Sequence, residues 1–427
     1  MGLPRIVRVF GAVDVGSFRI SAMIMGLSET GEMIVLGSGN RASQGIKRGY
    51  VTDMAAATYA IRDAVERAEK NAGTSISSVW VGCSGAGLAS RVAKVEIEIG
   101  GRRVEEDDVE HLLVAARDSI QPDGRMVLHA QPAHYTLDGA HGVANPRGLH
   151  AERLGVDIHV MLADGAPVRN LIEAVQKAHL EVEAVVATPL ASGQSCLTPE
   201  ERELGTALIE IGGEVTNVAL YAGGMLLGLS AIQFGSSDIT DAVASAFGIR
   251  RFQAQRLKSR YGSAIASPSD YKDMIPVHGP DEDEATATPA RGADDKNRIP
   301  RAELVSVITE QLGRLATEVN RALKDMGFAG TKGGQIVVTG GGAELAGIAE
   351  YLQSALGHPV RVGKPPALRG LGEATATASF GTLTGLCLYA AADPVDIRAI
   401  GPSYQPTTSY SGMAIVTRVL RAVREYF

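Results

Sequence analysis

Two stretches of the chain follow one pattern: Val13-Asp14-Val15-Gly16-Ser17 and Ile209-Glu210-Ile211-Gly212-Gly213. In each, an apolar run ends in an acidic residue and a glycine turn, and a second run of alternating residues follows. A glycine turn lets backbone N–H groups approach a phosphate closely, because no Cβ intervenes. An acidic side chain at the end of a strand can hold a hydrated Mg²⁺. The repeat therefore predicts two related halves that close on one nucleotide.

The composition limits the classes of protein to consider. A length of 427 residues predicts two to four compact units. The hydrophobic share of 45% and the charged share of 21% are typical of a soluble globular protein. A net charge of −7 argues against non-specific binding of nucleic acid, so no nucleic-acid partner is expected. The 50 glycines among 427 residues are a larger share than the usual ~7%, and this excess fits a fold rich in ligand loops and tight turns.

Cysteines and targeting signals point to a reducing compartment. The cysteines, Cys83, Cys196 and Cys387, are too scattered for a metal site or a disulfide framework. We expect them to be buried thiols. Arg5 and Arg8 interrupt the N-terminal apolar run, which predicts no signal peptide. No uncharged apolar stretch of ~18 residues occurs, so no membrane-spanning helix is expected.

Strand and helix patterns alternate along most of the chain and predict an α/β architecture. From about Gly87 to Val160 the sequence becomes strand-rich and charged, which predicts an inserted subdomain. Pro189–Ser195 is predicted to be a turn. Residues 277–298 have the composition of a disordered loop.

A third glycine-rich element follows the buried strand predicted at Gln335–Thr339. Gly340, Gly341 and Gly342 are expected to lead into a helix at 345–356, whose N-terminus favours negative charge or ribose oxygens. A single glycine here would be explained by a strand–helix connector that needs positive φ. Three glycines in a row, after two hairpins of the phosphate-binding type, favour a nucleotide-binding site. Gln255 and Lys258, on a helix predicted at 252–261, form by themselves a solvated helical face.

The end of the chain has two parts, a linker predicted at 394–412 and a helix predicted at 413–427. Apolar residues recur on one stripe of that helix, and arginines lie on the other side. The stripe consists of Val416, Val419, Leu420, Val423 and Phe427, and the arginines are Arg418, Arg421 and Arg424. This pattern is typical of an interfacial membrane helix. The alternative is a helix that docks on the body of the protein or on another subunit.

With these elements in order, the chain resembles the FtsA family of bacterial cell-division proteins, in the actin/Hsp70/sugar-kinase superfamily, over essentially its whole length. The resemblance rests on Asp14-Val15-Gly16-Ser17, Ser43–Gly49, Val127-Leu128-His129, Glu200–Gly205, Ile211-Gly212-Gly213, Ala246-Phe247-Gly248, Thr339-Gly340-Gly341 and the terminal Glu425-Tyr426-Phe427. It implies an actin-like α/β fold of two lobes, each a mixed sheet with helices. The region at 87–160 resembles that family's inserted subdomain, which replaces the one found in actin.

The resemblance also implies a division into domains. The first lobe comprises 1–86, 161–202 and 378–393, and the second comprises 203–240 and 334–377. A further subdomain is expected at 241–333, followed at the chain end by the linker at 394–412 and the membrane-targeting helix at 413–427.

ATP and Mg²⁺ are the implied ligands, held between the lobes. By position, Asp14, Gly16 and Ser17 form the first phosphate loop, to which Arg19 adds donors. Glu210, Gly212 and Gly213 form the second loop, and Gly340, Gly341 and Gly342 the adenosine loop. Lys258 lies where the family has a basic residue on the adenine side. Asp14 and Glu210 are the expected metal ligands.

The implied function is that of an adaptor at the cytoplasmic face of the inner membrane, bound peripherally at the division site. Such a protein self-associates into filaments, binds the C-terminal peptide of the tubulin-like FtsZ, and recruits later division proteins. The peptide surface would lie on 241–333, at Arg301, Glu303 and Gln311. The terminal helix would tether the division ring to an anionic membrane surface.

The second phosphate loop departs from the family pattern Asp-Ile-Gly-Gly-Gly-Thr-x-Asp. Here Glu214 replaces the third glycine, Val215 the threonine and Asn217 the last aspartate, and Gln255 stands for the usual glutamate on the adenine side. A carboxylate at Glu214 near the phosphates would cost affinity unless Mg²⁺ bridges the two anions or Glu214 turns away, since two anions ~4 Å apart repel by about 1 kcal/mol in bulk water and ~4 kcal/mol near a protein surface. Because hydrolysis needs an aligned water and metal, we expect weak or absent ATPase activity.

Two alternatives belong to the same superfamily. A sugar or acetate-type kinase would need a catalytic acid beside a polar substrate pocket, and transfer of phosphate to a small acceptor would reveal it. A cytoplasmic scaffold of pili or type II secretion shares the inserted subdomain but lacks the terminal helix. Recovery of FtsZ in a pull-down would separate that scaffold from a division protein.

Overall fold

A computed structural model describes residues 4–85, 87–277, 298–328 and 334–400. Three segments for which the sequence makes predictions therefore lie wholly or mostly outside the described residues. They are the membrane-targeting helix at 413–427, the linker from residue 401 onwards, and the disordered loop at 277–298 apart from its two end residues.

The secondary structure alternates between strands and helices. The strands are β1 (Ile6–Val15), β2 (Arg19–Ser28), β3 (Met33–Ala42), β4 (Ile46–Lys47), β5 (Tyr50–Val51), β6 (Ser78–Cys83), β7 (Ala89–Glu98), β8 (Met126–Leu137), β9 (Ala140–Val143), β10 (Arg153–Ala163), β11 (Glu181–Ala187), β12 (Thr206–Ile211), β13 (Thr216–Ala222), β14 (Met225–Ile232), β15 (Met274–Pro276), β16 (Arg298–Pro300), β17 (Gln335–Thr339) and β18 (Val360–Val362). The α-helices are α1 (Met54–Ala72), α2 (Glu106–Asp118), α3 (Gly165–Lys177), α4 (Thr188–Cys196), α5 (Pro199–Leu204), α6 (Ser236–Phe247), α7 (Arg251–Tyr261), α8 (Arg301–Asp325), α9 (Ile348–Leu356) and α10 (Gly381–Ala392).

Two sheets repeat one topology. The first is five-stranded, in the order β11-β6-β1-β2-β3, and the strands β18-β17-β12-β13-β14 follow the same order within a nine-stranded sheet. In both, the first strand of the hairpin pairs in parallel with a neighbour, β1 with β6 and β12 with β17. The second strand of each hairpin pairs antiparallel with the first. Two lobes with mixed sheets and helices are thus confirmed.

Local signals in the sequence explain where the elements begin and end. Helix α1, for example, starts after Asp53, whose carboxylate accepts a hydrogen bond from the N–H of Ala56, and it ends at Gly73 with φ of 68°. Such a capping side chain and a left-handed glycine are the usual helix boundaries. The apolar face of α1, with Ile61 fully buried, packs on β2 and β3.

The segment between β6 and α3 forms a unit of its own core. Helix α2 covers strands β7 and β10, and residues such as Leu112 and Leu154 are fully buried between them. Its sheet continues the second lobe's sheet, because Ser230 of β14 pairs with Ala89 of β7. The strands of the insert therefore extend the sheet of the second lobe, and the five-stranded sheet of the first lobe is separate.

Another region of the second lobe is helical. Helices α6, α7 and α8 pack together, and α8 buries a long stripe against the sheet. That stripe contains Leu304, Ile308, Leu312, Leu315 and Val319. Such a stripe is the buried face of an amphipathic helix.

Two predictions of local structure were wrong. The turn predicted at Pro189–Ser195 is part of helix α4, because proline is tolerated in the first turn of a helix and small residues fit between packed elements. The glycines after β17 do not lead straight into a helix. They form a 3₁₀ turn, Gly341–Glu344, and α9 begins only at Ile348.

Residues 394–400, predicted as the start of the linker, pack against the insert instead. Ile397 is fully buried and Ile400 nearly so, both in the core of the insert. Arg398 donates a hydrogen bond to the backbone carbonyl of Val127 at 2.8 Å, and Arg117 donates to the carbonyl of Ile400. We call residues 394–400 the strap. It lacks periodicity because a 3₁₀ turn, Ile397–Ala399, forms its centre.

Two further observations concern the described residues. Cys83, Cys196 and Cys387 are buried free thiols, as expected. Among the helices that the structure describes, none is long and apolar enough to cross a membrane.

Candidate functional site

The two hairpin loops, 16–19 and 212–215, have the same geometry. Val15 pairs with Ile20 across the first hairpin, and Ile211 pairs with Thr216 across the second. A Cβ on Gly16 would lie 2.8 Å from the carbonyl oxygen of Arg19, and one on Gly212 would lie 2.7 Å from that of Val215. A side chain at either position would therefore collide with the turn. The two similar stretches of sequence therefore have the same backbone conformation at their turns.

The two loops meet at the junction of the lobes. A Cβ on Gly213 would lie 2.9 Å from the Cβ of Phe18, so the second loop packs directly on the first. Arg19, at the end of the first loop, donates a hydrogen bond to the carbonyl of Ser379 at 3.2 Å. Its guanidinium also lies 4.3 Å above the ring of Phe380. The structure thus brings Asp14, Arg19 and Gly213 close together.

Asp14 is a partly buried carboxyl group at the end of β1. It pairs with Ser21 on β2 and with Gly82 on β6. Burial, with the negative charge of Glu210, raises the pKa of Asp14 to about 7, against the opposing effect of Arg19. Among the described residues, no side-chain hydrogen bond of Asp14 is found. This carboxyl group can therefore accept a ligand, and a cation there would favour its ionised form.

Glu210 is buried and accepts four hydrogen bonds. Thr188 and Ser192 of α4 donate to it at 2.7 and 3.0 Å, Asn217 of β13 donates at 3.0 Å, and Thr382 of α10 completes the set. Hydrogen bonds of this kind are what make a buried carboxylate tolerable. A metal ion bound at Glu210 would have to replace some of them.

Asn217 links the same cluster to the first lobe. Its amide group donates to Ser84 at 3.0 Å and to Thr188 at 3.2 Å, besides its bond to Glu210. Its buried Oδ1 atom has no partner among the described residues. The neutral amide lets Glu210 be the single negative charge in this cluster, which an aspartate at this position would not.

Of the two residues predicted to bind Mg²⁺, only Asp14 is available to do so. Mg²⁺ is commonly held by one or two carboxylates together with phosphate oxygens and water. Asp14 is available for that role, whereas the oxygens of Glu210 are taken up by hydroxyl and amide donors. Across residues 4–85, 87–277, 298–328 and 334–400, no group of three acidic, histidine or cysteine side chains could hold a metal. The metal site at Asp14 stays a prediction.

Glu214, the residue that departs most from the family's second loop, reaches across to the first lobe. Its carboxylate accepts a hydrogen bond of 2.7 Å from the backbone N–H of Arg48, and it lies 3.7 Å from the guanidinium of Arg251. Val215, the next residue, is buried. The charge of Glu214 is therefore matched by donors from both lobes.

The three glycines after β17 have different roles. Gly340 has φ of 85°, and a Cβ there would lie 2.5 Å from the carbonyl oxygen of Ile211. A Cβ on Gly342 would collide with the side chain of Ile211. Gly341 is exposed, and the nearest atom to its Cβ position is the Cβ of Ser379 at 3.9 Å. Packing explains Gly340 and Gly342, and Gly341 alone is open to a ligand.

Lys258 is buried, which corrects the prediction of a solvated helical face. Its ammonium group donates to the carbonyl and the hydroxyl of Ser236 at 2.6 and 2.8 Å and to the hydroxyl of Thr240 at 2.7 Å. Burial lowers its pKa to about 8. Gln255 accepts a hydrogen bond from Thr240 at 2.7 Å. Because the N–H of Ser236 donates to the carbonyl of Gly212 at 3.0 Å, Lys258 is connected to the second loop.

The three residues predicted to bind a partner peptide lie on α8 but differ in exposure. The guanidinium of Arg301 contacts Asp270 at 2.6 Å and the carbonyl of Tyr261 at 2.7 Å. Glu303 is exposed, whereas Gln311 is buried. The burial of Gln311 contradicts a surface role for that residue.

Sequence reasoning missed the donors around Glu210 and the contact of Glu214. Ser192 lies in the segment that was predicted to be a turn, Thr188 lies just before it, and Thr382 lies in the first turn of α10, far along the chain. Arg48 lies within the quoted stretch Ser43–Gly49, which was used only for the resemblance. Lone hydroxyl residues carry no local signal that they face a distant carboxylate.

The repeated sheets and the paired glycine hairpins, which meet at the junction of the lobes, define the chain as a two-lobed protein with an actin-like fold. Solved structures support this class. A PilM–PilN type IV pilus biogenesis complex aligns with a TM-score of 0.62 at 16% identity, covering 90% of this chain and 98% of the other. MreB5 of Spiroplasma citri bound to ADP aligns with a TM-score of 0.53 at 14% identity, covering 90% and 96%.

Sequence comparisons assign the family. The model of cell division protein FtsA matches residues 207–381, and the model of the SHS2 domain inserted in FtsA matches residues 85–162. FtsA of Agrobacterium fabrum is 32% identical over 100% of this chain and 98% of its own length. FtsA of Rhizobium meliloti is 33% identical over 94% and 92%, and that of Escherichia coli K12 is 28% identical over 88% and 89%. The chain belongs to the FtsA family of cell-division proteins.

Proposed function

We propose that this chain is an actin-like adaptor that tethers the division ring to the inner membrane, from the cytoplasmic face, and recruits later division proteins. The observation that carries the proposal is the whole-length relation to FtsA proteins, joined to a terminal segment with an apolar stripe and three opposing arginines. The proposal keeps the lobes, the insert at 87–160 and the subdomain at 241–333 as assigned above.

ATP is the proposed ligand of the cleft, bound by the backbone of the loops at Gly16 and Gly213 and by Arg19. The hydroxyl of Ser17 is oriented because it accepts a hydrogen bond from the N–H of Gly49 at 3.2 Å. Mg²⁺ would be held at Asp14 and would supply charge neutralisation to the phosphates. Because Asn217 is neutral and Glu210 is occupied by hydroxyl donors, these residues offer little to position an attacking water. Hydrolysis is therefore weak or absent, and the nucleotide serves assembly into filaments.

The proposed surface for the C-terminal peptide of FtsZ lies around the start of α8. Glu303 is exposed there, and the N–H of Arg301 donates to the carbonyl of Asp273 at 2.8 Å. The neighbouring side chains of Tyr271 and Met274 are 76% and 46% exposed. Exposed apolar side chains beside charged ones suit a short peptide that carries both kinds of residue.

The segment 413–427 is proposed to bind the membrane as an interfacial helix. Each apolar side chain contributes roughly 1.5–3 kcal/mol if it becomes fully buried, and each arginine near an anionic leaflet adds about 1 kcal/mol. Ordering the helix offsets part of this gain. Binding by one copy is expected to be reversible, and binding by several linked copies in a filament firm.

Co-sedimentation with vesicles that contain anionic lipid tests the proposal. The full chain is compared with a deletion of 413–427 and with Leu420→Glu, while Thr417→Ser serves as a mild change in the same segment. FtsZ is then added with and without its C-terminal peptide. We expect the full chain to sediment with vesicles and to bring intact FtsZ with it.

Two results would count against the proposal. Equal sedimentation of the deletion variant would remove the membrane role from 413–427. Sedimentation of the full chain without any FtsZ would remove the adaptor role while leaving membrane binding in place. A phosphate-transfer screen on small alcohols and acids, run on the same sample, tests the kinase alternative.

A further inference from the structure

A short hairpin of the first lobe reaches the second phosphate loop. Strands β4 and β5 pair antiparallel, and Arg48 lies at their turn with φ of 51°. The next residue, Gly49, donates its N–H to the hydroxyl of Ser17 in the first phosphate loop. The turn is therefore anchored on the first loop. The backbone N–H of Arg48, the residue before Gly49, donates a hydrogen bond to the carboxylate of Glu214 in the second loop.

The side chain of Arg48 makes further contacts with the second lobe. Its guanidinium donates to the carbonyl of Gln233 at 2.5 Å and lies 3.3 Å from the carboxylate of Asp238, in the first turn of α6. Asp238 is itself held, because it accepts a hydrogen bond from the N–H of Gly235 at 2.8 Å. Both the backbone and the side chain of Arg48 thus join the lobes.

Glu214 is well placed for a strong contact. Its side chain is 15% exposed, so its charge is less screened than that of a surface pair. A hydrogen bond of 2.7 Å to a carboxylate falls in the range of charge-assisted bonds, which are about twice as strong as neutral ones. Backbone N–H groups in such turns are also the groups that bind phosphate oxygens in phosphate loops.

We propose that Glu214 and Arg48 form a clasp that keeps the two lobes closed without a bound nucleotide. The carboxylate of Glu214 supplies the anion that joins donors of both lobes, a role that phosphate groups fill when a nucleotide alone closes a cleft. The inference rests on the proposed nucleotide cleft. It adds that the two lobes of this protein stay closed whether or not a nucleotide is bound.

Distance measurements between spin labels on the two lobes test the clasp. Labels at Tyr59→Cys on α1 and Glu310→Cys on α8 report on the first and second lobes, since both positions are exposed. The native cysteines are buried, so labelling favours the introduced ones. The full chain is measured with and without Mg-ATP, in the background of wild type, Glu214→Ala, Arg48→Met and the exposed control Glu200→Ala.

For the wild-type background and the Glu200→Ala control, we expect one short, narrow distance distribution that Mg-ATP does not change. Glu214→Ala should shift the distribution to longer distances without nucleotide. Arg48→Met keeps its backbone N–H and loses the guanidinium, so it should show a smaller shift in the same direction. Thermal melts of each variant check that a shift does not report unfolding.

The outcomes separate the clasp from the nucleotide proposal. An unchanged distribution in Glu214→Ala, or a wild-type distribution that shortens on adding Mg-ATP, would overturn the clasp. If neither the wild type nor any of the variants binds Mg-ATP in equilibrium dialysis, the nucleotide proposal is overturned. The distances without nucleotide would still decide the clasp in that case.

Discussion

Asn217 lies directly opposite Glu210 in the ladder of β12 and β13, and its amide donates a hydrogen bond of 3.0 Å to the Glu210 carboxylate. The corresponding pair in the first hairpin is Asp14 and Ser21. Each hairpin thus places one acidic residue across from one neutral donor. The difference lies in the surroundings, because Glu210 is enclosed by donors and Asp14 is not.

Asn217→Asp is expected to destabilise the fold. The variant removes three amide hydrogen bonds and places a second carboxyl group against Glu210, at a cost of about 2–4 kcal/mol near neutral pH. Urea denaturation measures the loss. Since the introduced carboxyl group would have a raised pKa, the loss should shrink as the pH falls and the group takes up a proton.

Asn40→Asp makes the same chemical change at an exposed position of β3 and serves as the control. It should alter stability by less than about 0.5 kcal/mol. An equal loss in both variants would mean that the cluster around Glu210 contributes nothing particular.

Asp14 should make stability depend on pH. Its pKa is 3.8 ordinarily and about 7 in the folded protein, so the folded state binds more protons than the unfolded state between these values. Its contribution is therefore fully present below the lower value and is lost as the pH rises through the upper one, with a slope of at most ~1.4 kcal/mol per pH unit. Denaturation curves across this interval should show the slope in the wild type.

Asp14→Asn removes the titrating group at nearly constant volume, so the same curves should be flatter over that interval. Addition of Mg-ATP should also flatten the wild-type curve, because a cation at Asp14 lowers its pKa. Identical slopes in the wild type and the variant would contradict the raised pKa.

Alanine substitutions should separate the three glycines after β17. Gly342→Ala would force a methyl group into the side chain of Ile211, which costs about 1–3 kcal/mol. Gly340→Ala would force alanine into a backbone conformation that only glycine adopts readily, at φ 85° and ψ 174°, and would place its Cβ 2.5 Å from the carbonyl oxygen of Ile211, at a cost of at least about 1–3 kcal/mol. Gly341→Ala meets open space and should leave stability within about 0.5 kcal/mol of wild type.

Gly341→Ala is then the variant with which to probe the adenosine loop. If a nucleotide lies against this turn, the variant should weaken ATP binding in equilibrium dialysis while its denaturation curve stays that of the wild type. Wild-type affinity in Gly341→Ala would place the nucleotide elsewhere.

Ile397→Ala should loosen the insert. The variant deletes a fully buried side chain of the strap from the core under α2, and such changes cost about 2–5 kcal/mol. Amide hydrogen exchange should accelerate in α2 and β8 more than in α1. Ala399→Ser, an exposed position in the same 3₁₀ turn, should leave exchange unchanged. Uniform acceleration across both lobes would contradict a local role for the strap.

The hairpins could be predicted because their causes are local. Position 16 requires glycine because a side chain there would collide with the carbonyl of Arg19, three residues on. Position 212 requires glycine because a side chain there would collide with the carbonyl of Val215. A period of two along each strand places the acidic residue opposite its partner. Patterns spanning a few residues, such as the cap at Asp53 and the stripe of α8, likewise appear in the sequence directly.

The exposure of Lys258 and the role of Glu214 could not be predicted in this way. Lys258 stands on a polar helix, yet α6 covers it and supplies three acceptors. The sequence left the orientation of Glu214 open, and the turn at Arg48 draws its carboxylate across to the first lobe. In both cases the deciding partner is remote in sequence, and its position depends on how whole elements pack.

The sequence by itself determined the repeated strand–turn–strand units and most of the order of strands and helices, because these follow from periodicity, glycine turns and capping residues. Its similarity to FtsA proteins over the whole length determined the family. The tertiary structure alone decided that Thr188, Ser192 and Thr382 enclose Glu210, that Gly341 is the open glycine, and that the strap closes the core of the insert. These contacts join segments far apart in the chain, and side chains compete for them only once the sheets and helices have packed.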